Sequence, residues 1–216
     1  MISFRFLETV IDTFESKSRW TGNHSRRVEW LSTTIGAFIG LDAETNSRLA
    51  LSAHLHDIGK IGVSDILLDK PTKITAAELI EIRKHPVIGS DIFNSFFLDL
   101  LDNGFDVEAS NVPVKDILMV IRHHHERFDG KGYPDGLMGK ETSLLARIVQ
   151  VADAVDAIIS DRPYRKSYGI DYAITELVNN RGAQFDPEIV DAFVDNFESG
   201  LLMTLDNVLK DAYPSI

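Results

Sequence analysis

HHHERFDGKGYPDG, from His123 to Gly136, sets three adjacent imidazoles and an acid directly before a loop with glycines at 130, 132 and 136. The apolar run ILMVI (117–121) precedes it, so the triplet closes a helical segment that then breaks into a turn. Its purpose depends on the other four histidines: His24 in HSRRV, His54 and His56 in HLHDIGK, and His85 in KHPVIG. Neutral imidazole suits Fe, Mn, Zn, Ni and Cu, whereas carboxylate suits harder cations such as Mn and Mg. A site that mixes the two favours first-row metals, and a shared carboxylate can bridge a pair of them. His56 and Asp57 stand where a helix is expected to stop at Gly59, so both could turn into one cavity, with Asp57 as the natural bridge. Blander readings compete. His54 lies two residues from His56, off that face, and reads as a packing or surface residue; His85 before Pro86 could simply occupy a bend.

Composition narrows the class. Hydrophobic residues make up 44% and charged residues 25% of 216 residues, an ordinary balance for a chain that buries a sizeable core. No run of about 18 apolar residues suggests a membrane span. The opening MISFRFLETVIDTFESK reads as an amphipathic helix without a signal-peptide cleavage pattern. Absence of cysteine excludes disulfides and thiolate metal sites and makes the cytoplasm the expected location. A formal charge of −11, from 33 acidic against 22 basic residues, argues against binding along an extended nucleic acid. It does not exclude a small anionic substrate held by metal ions, whose charge dominates the local field.

Helical periodicity predominates, with no alternating strand and no internal repeat. The pattern predicts helices near 3–17, 24–40, 43–57, 76–98, 113–125, 143–160, 170–180 and 187–198. Thr75 with Glu78 reads as a capping box, and Asp186 before Pro187 as an N-cap followed by proline in the first turn. Residues 102–113 read as an acidic surface loop. The expected organisation is one all-α domain over 1–216: an N-terminal helix in 1–19, a motif-bearing core in 20–190 and a helical extension in 191–216.

Taken together, HSRRV (24–28), HDIGKIGVSDILLDKP (56–71), KHPVIG (84–89), HHERFDGKGYPDGL (124–137), LARIVQVADAVDAIISDRPYR (145–165) and FDP (185–187) resemble the HD-GYP domain. This is the branch of the HD superfamily of metal-dependent phosphohydrolases that degrades cyclic dinucleotides. The resemblance runs over roughly residues 20–190. It implies an all-α fold built on the five-helix HD core with added helices.

Position by position, it also implies metal ligation by His56, Asp57, His85, His124, His125 and Asp153, with His24 matching the histidine that precedes the HD pair. Asp57 would bridge an ion held by His85, His124 and His125 and a second held by His56 and Asp153. Asp156, one helical turn beyond Asp153, is the rival for that last role. The HHE register leaves His123 without a counterpart, either supporting the ligands or exposed. Some members carry a glutamate one turn before the first histidine that helps hold a third ion; Trp20 stands there, so two divalent ions are expected, Fe or Mn first, with Ni, Zn or Mg as alternatives.

Two ions about 3.5–4 Å apart can lower the pKa of water and stabilise charge on a phosphoryl oxygen. Lys60 matches a lysine near the scissile phosphate, and with Asp57 is expected to act in catalysis. Arg162 and Arg165 in DRPYR offer guanidinium forks for phosphate. Gly132 lets the backbone approach the ligand, and Tyr133 can donate a hydrogen bond or stack on a base. The expected activity is hydrolysis of cyclic di-GMP to pGpG or GMP, with cyclic GMP–AMP as the alternative substrate. A catalytically weak binding module is the reading from another class. The sequence leaves room for a homodimer or a regulatory-domain partner.

Overall fold

Leu144–Ile159, LLARIVQVADAVDAII, is apolar on nearly every side, and the helix it forms is buried at the centre of the protein. The computed structural model describes residues 9, 24–104, 106, 112–161 and 166–198. In chain order the helices are α1 (His24–Phe38), α2 (Ala43–Leu55), the short α3 (Asp65–Leu68), α4 (Ala76–Ile82), α5 (His85–Asp102), α6 (Val114–His123), α7 (Leu144–Ile159), α8 (Ile170–Asn179) and α9 (Pro187–Glu198). A 3₁₀ turn, Ile58–Gly62, follows α2, and the described residues form no strand beyond two isolated bridges.

α1 packs on α2 and on central α7, α6 joins α2 to α5, and α8 and α9 cover the outer side of α7. Val28, Leu31, Ile35, Leu49, Ile148, Leu177 and Phe193 belong to one buried cluster. Leu55, Ile58, Phe93, Ile117 and Ile121 form a second, beneath the 3₁₀ turn. Together α1, α2, α5, α6 and α7 make a five-helix core to which the later helices are added, the all-α architecture expected from sequence.

Local signals explain most of the boundaries. The Thr75–Glu78 capping box is present in full, with Thr75 N–H donating to Glu78 at 2.8 Å and Glu78 N–H to Thr75 Oγ1 at 3.3 Å. Asp186 caps α9 by accepting from Glu188 N–H at 2.9 Å, and Pro187 begins the helix. The single helix expected over 76–98 is instead two, broken at Arg83 and Lys84, because Pro86 lacks an N–H and its ring excludes a continuous helix through that point. Proline is tolerated in the first turn, so a new helix starts at His85 and runs on to Asp102. α2 likewise ends at Leu55, not 57, leaving Asp57 in the turn. α9 crosses the boundary expected at 190, with Phe193 fully buried in the main core.

The helix expected over 3–17, apart from residue 9, half of loop 102–113, Trp20, Arg162, Arg165 and residues 199–216 fall outside the described residues.

Two glycines bring the 3₁₀ turn against α5. A Cβ on Gly59 would stand 1.9 Å from the carbonyl oxygen of His85 and 2.5 Å from Gly89 N, and one on Gly89 would meet Gly59 N at 2.9 Å. Only hydrogen at both positions permits this approach, which sets Asp57 beside His85. Gly59→Ala must push two backbone segments apart, so a loss of about 3 kcal/mol is expected, at the upper end for overpacking. Thermal unfolding checks the stability, and metal analysis of the folded fraction is expected to show reduced binding.

Candidate metal centre

His24 opens α1, His56 and Asp57 follow α2, His85 opens α5, His124 and His125 follow α6, and Asp153 lies in the middle of α7. Each core helix thus delivers a side chain from an end or from the buried centre to one cavity. Two groups result: Asp57, His85, His124 and His125, and His24, His56 and Asp153, with ligand-type atoms within 4.8 Å of one another in each.

Asp57 divides its two oxygens between them. Oδ1 faces His85 Nε2 at 3.2 Å and His124 Nε2 at 3.7 Å. Oδ2 faces His56 Nε2 at 3.3 Å and His24 Nε2 at 3.4 Å. His24 Nε2 also lies 3.4 Å from Asp153 Oδ1.

Backbone carbonyls fix the tautomers. His56 Nδ1–H donates to Ala53 O at 2.7 Å, His85 Nδ1–H to Ile82 O at 2.8 Å, and His124 Nδ1–H to Ile121 O at 3.0 Å. A carbonyl only accepts, so each Nδ1 carries a proton and each ring turns its Nε2 inward. The Nε2 atoms converge: His85 Nε2 lies 3.3 Å from His124 Nε2. His56 Nε2 and Asp57 Oδ1 are buried without a hydrogen-bond partner. Converging acceptors of this kind suit cations, and the donor set of imidazole and carboxylate fits first-row divalent ions.

The electrostatics agree. Burial, reinforced by the neighbouring imidazoles, pushes His124 well below the usual histidine range and His125 down to about 3, which keeps both rings neutral. Burial alone would raise Asp57, but Lys60 and His56 outweigh it and hold the carboxyl well below its usual range. His24 differs. Burial opposes its charge, yet hydrogen bonds to Asp156 and Asp57 and the charge of Asp153 raise it to about 9. Asp156, fully buried, accepts from His24 Nδ1 at 2.8 Å and from Arg27 Nε at 2.5 Å. It therefore orients His24 from behind, while Asp153 points into the cavity.

His123 is buried, not exposed, and its Nε2 lies 2.9 Å from Asp135 in the loop beyond. Arg122 grips the same carboxylate with bonds of 2.7 and 2.8 Å. Lys60 contacts Asp57 Oδ2 directly. Tyr133 stacks on His125, with ring centroids 4.9 Å apart. The Arg83 guanidinium lies over the Tyr133 ring, 5.0 Å from its centroid. With both groups against it, the ring has little face left for a base. Gly132 touches the chain it returns to: a Cβ there would stand 2.3 Å from Arg127 N and 2.4 Å from Glu126 Cα. His54 pairs with Glu29 at 2.9 Å and belongs to neither group.

The sequence reading missed Glu126. It is buried, and its carboxylate accepts backbone N–H groups from Asp135 at 2.6 Å, Gly136 at 3.0 Å and Leu137 at 3.1 Å. The signal was available: an acid directly after two candidate ligands, before a loop rich in unsatisfied donors. Glu126→Ala strands three N–H groups and is expected to cost about 3 kcal/mol. It should raise KM by loosening the loop while the protein still takes up metal, as steady-state kinetics beside metal analysis will show.

A helical core gathers histidines and aspartates from five helices around Asp57, in two groups that could each hold a metal ion. The family model for the HD domain matches residues 8–189, and the chain belongs to the HD domain family. Among curated relatives, it is 34% identical to a cyclic di-GMP phosphodiesterase response regulator of Xanthomonas campestris, covering 87% of this chain and 46% of that one. Identity to a cyclic di-GMP phosphodiesterase of Thermotoga maritima is also 34%, over 88% of this chain and 48% of the relative. The chain thus spans about half the length of these two relatives. A solved HDGYP protein from Bdellovibrio bacteriovorus shares the fold, with a TM-score of 0.61 at 23% identity over 84% of this chain and 53% of that one. No described helix is long and apolar enough to cross a membrane.

Proposed function

We propose that the chain is a metal-dependent phosphodiesterase that hydrolyses a cyclic dinucleotide, cyclic di-GMP first, giving pGpG or GMP. The observation that carries this reading is Asp57, whose two oxygens face two separate groups of imidazoles. His85, His124 and His125 would hold one ion, His24, His56 and Asp153 the other, with Asp57 shared. Bound divalent ions supply Lewis acidity toward a phosphoryl oxygen and lower the pKa of water toward 7. Fe or Mn suits the mixed donor set best, with Ni, Zn or Mg as alternatives.

The remaining roles belong to the chain's own groups. Lys60, whose ammonium contacts Asp57, would offer its positive charge to a phosphoryl oxygen. Burial pushes the Tyr133 hydroxyl above the usual tyrosine range, so it stays protonated and can donate to the substrate. Gly132 lets the loop fold tightly enough to set Tyr133 against His125. Arg162 and Arg165 remain assigned to phosphate by sequence. A cytoplasmic setting, and a homodimer or a regulatory-domain partner, belong to the same proposal.

Cyclic GMP–AMP is kept as the second substrate because a curated relative in Vibrio cholerae, 34% identical over 187 residues, is named a 3′3′-cGAMP-specific phosphodiesterase. The test is hydrolysis of a cyclic dinucleotide panel by protein reconstituted separately with Mn, Fe, Ni, Mg and Zn. Turnover of cyclic di-GMP with at least one metal supports the reading, and binding without turnover under all five contradicts it. Metal analysis on the same samples is expected to give two ions per chain; three firmly held ions would overturn the argument from Trp20.

A further inference from the structure

We propose that Arg83 is a substrate-binding residue, holding the phosphate of the cyclic dinucleotide that is not being cleaved; this rests on the phosphodiesterase reading above. Its backbone is tied to the site. Arg83 caps α4 by donating to Leu79 O and Glu81 O, and it stands two residues before His85, whose ring is fixed by Ile82 O. Its side chain is exposed and lies over Tyr133, which in turn stacks on His125. The three groups form a column leading from the metal centre to the rim.

The charge of Arg83 has no carboxylate partner among the described residues. Its neighbours do: Lys84 bonds Glu81 at 2.6 Å, Arg122 grips Asp135 and Arg127 grips Asp129. In a chain with 33 acidic and 22 basic residues, a guanidinium left without an acid is an exception. Contact with the Tyr133 face holds the group in place, but an exposed cation–π contact is a weak interaction and uses none of the N–H donors. Among the described residues no carboxylate engages those donors, which form a planar fork, the geometry that matches phosphate.

Substrate chemistry supplies the ligand. A cyclic dinucleotide carries two phosphates on opposite sides of one ring, so when one occupies the His/Asp centre the other extends toward the rim. There it meets the field of an acidic protein and needs a cation. Arg83 supplies one at that edge.

The test compares wild type, Arg83→Ala and Arg83→Lys, all metal-loaded, on cyclic di-GMP and on bis(p-nitrophenyl) phosphate, a diester with a single phosphate. For Arg83→Ala, the ratio of kcat/KM on cyclic di-GMP to that on the aryl diester is expected to fall about tenfold, the loss residing in KM, as for one charge-assisted contact. Arg83→Lys, which keeps the charge without the fork, is expected to fall between. An unchanged ratio in Arg83→Ala overturns the assignment, because a residue that only supports Tyr133 would affect both diesters alike. Failure of the wild-type protein to hydrolyse any cyclic dinucleotide would instead sink the phosphodiesterase reading itself.

Discussion

Asp57→Asn is expected to abolish hydrolysis, lowering kcat/KM by about a thousandfold or more, equivalent to about 4 kcal/mol of lost transition-state stabilisation. Asparagine keeps the shape but not the charge, and its NH₂ nitrogen is a donor where the carboxylate offered a second acceptor. One of the two imidazole groups then faces N–H hydrogens in place of an oxygen. The asparagine also cannot balance Lys60, which contacts the same side chain. Because burial is tolerated here only through those partners, the variant should lose metal as well as activity. Near-wild-type turnover with full metal content would show that Asp57 shares nothing between the groups.

The second large effect separates three adjacent imidazoles. His124→Ala and His125→Ala are each expected to reduce metal content and to lower activity by more than about 100-fold, since even residues that only orient a ligand commonly cost 10–100-fold. Replacing His123 with Ala should be mild. Its ring bonds Asp135 from outside the centre, and Arg122 keeps two bonds to the same carboxylate. The lost bond is worth about 1 kcal/mol, visible in thermal stability more than in turnover. Equal and severe loss at all three positions would mean that the HHE register is misassigned.

Much of this arrangement was legible in the sequence because it is local. Helix periods, the Thr75 capping box and the Asp186-Pro187 start depend on residues within a turn of each other; the cap and the start are present as read, whereas the helix expected over 76–98 is two. The break at Arg83 was readable too, from Pro86, which cannot continue a helix. The two candidate ligand groups came from the resemblance to the HD-GYP domain, and the structure brings all seven named residues into two groups. Contacts between residues distant in sequence were not readable. Asp156 and Asp153 stand one turn apart on α7, and only the approach of Arg27 and His24 from α1 separates their surroundings. Nothing in IRKHP places Arg83 over Tyr133, some fifty residues on, because that contact exists only once the loop has folded back against His125.

The central claim is that Asp57 joins two cation sites, and anomalous diffraction from crystals of the metal-loaded protein tests it most directly. Two peaks are predicted, one on each side of the Asp57 carboxylate: the first within bonding distance of His85, His124 and His125, the second within reach of His24, His56 and Asp153. A single peak, or two peaks with Asp57 bonded only to Lys60, would contradict it.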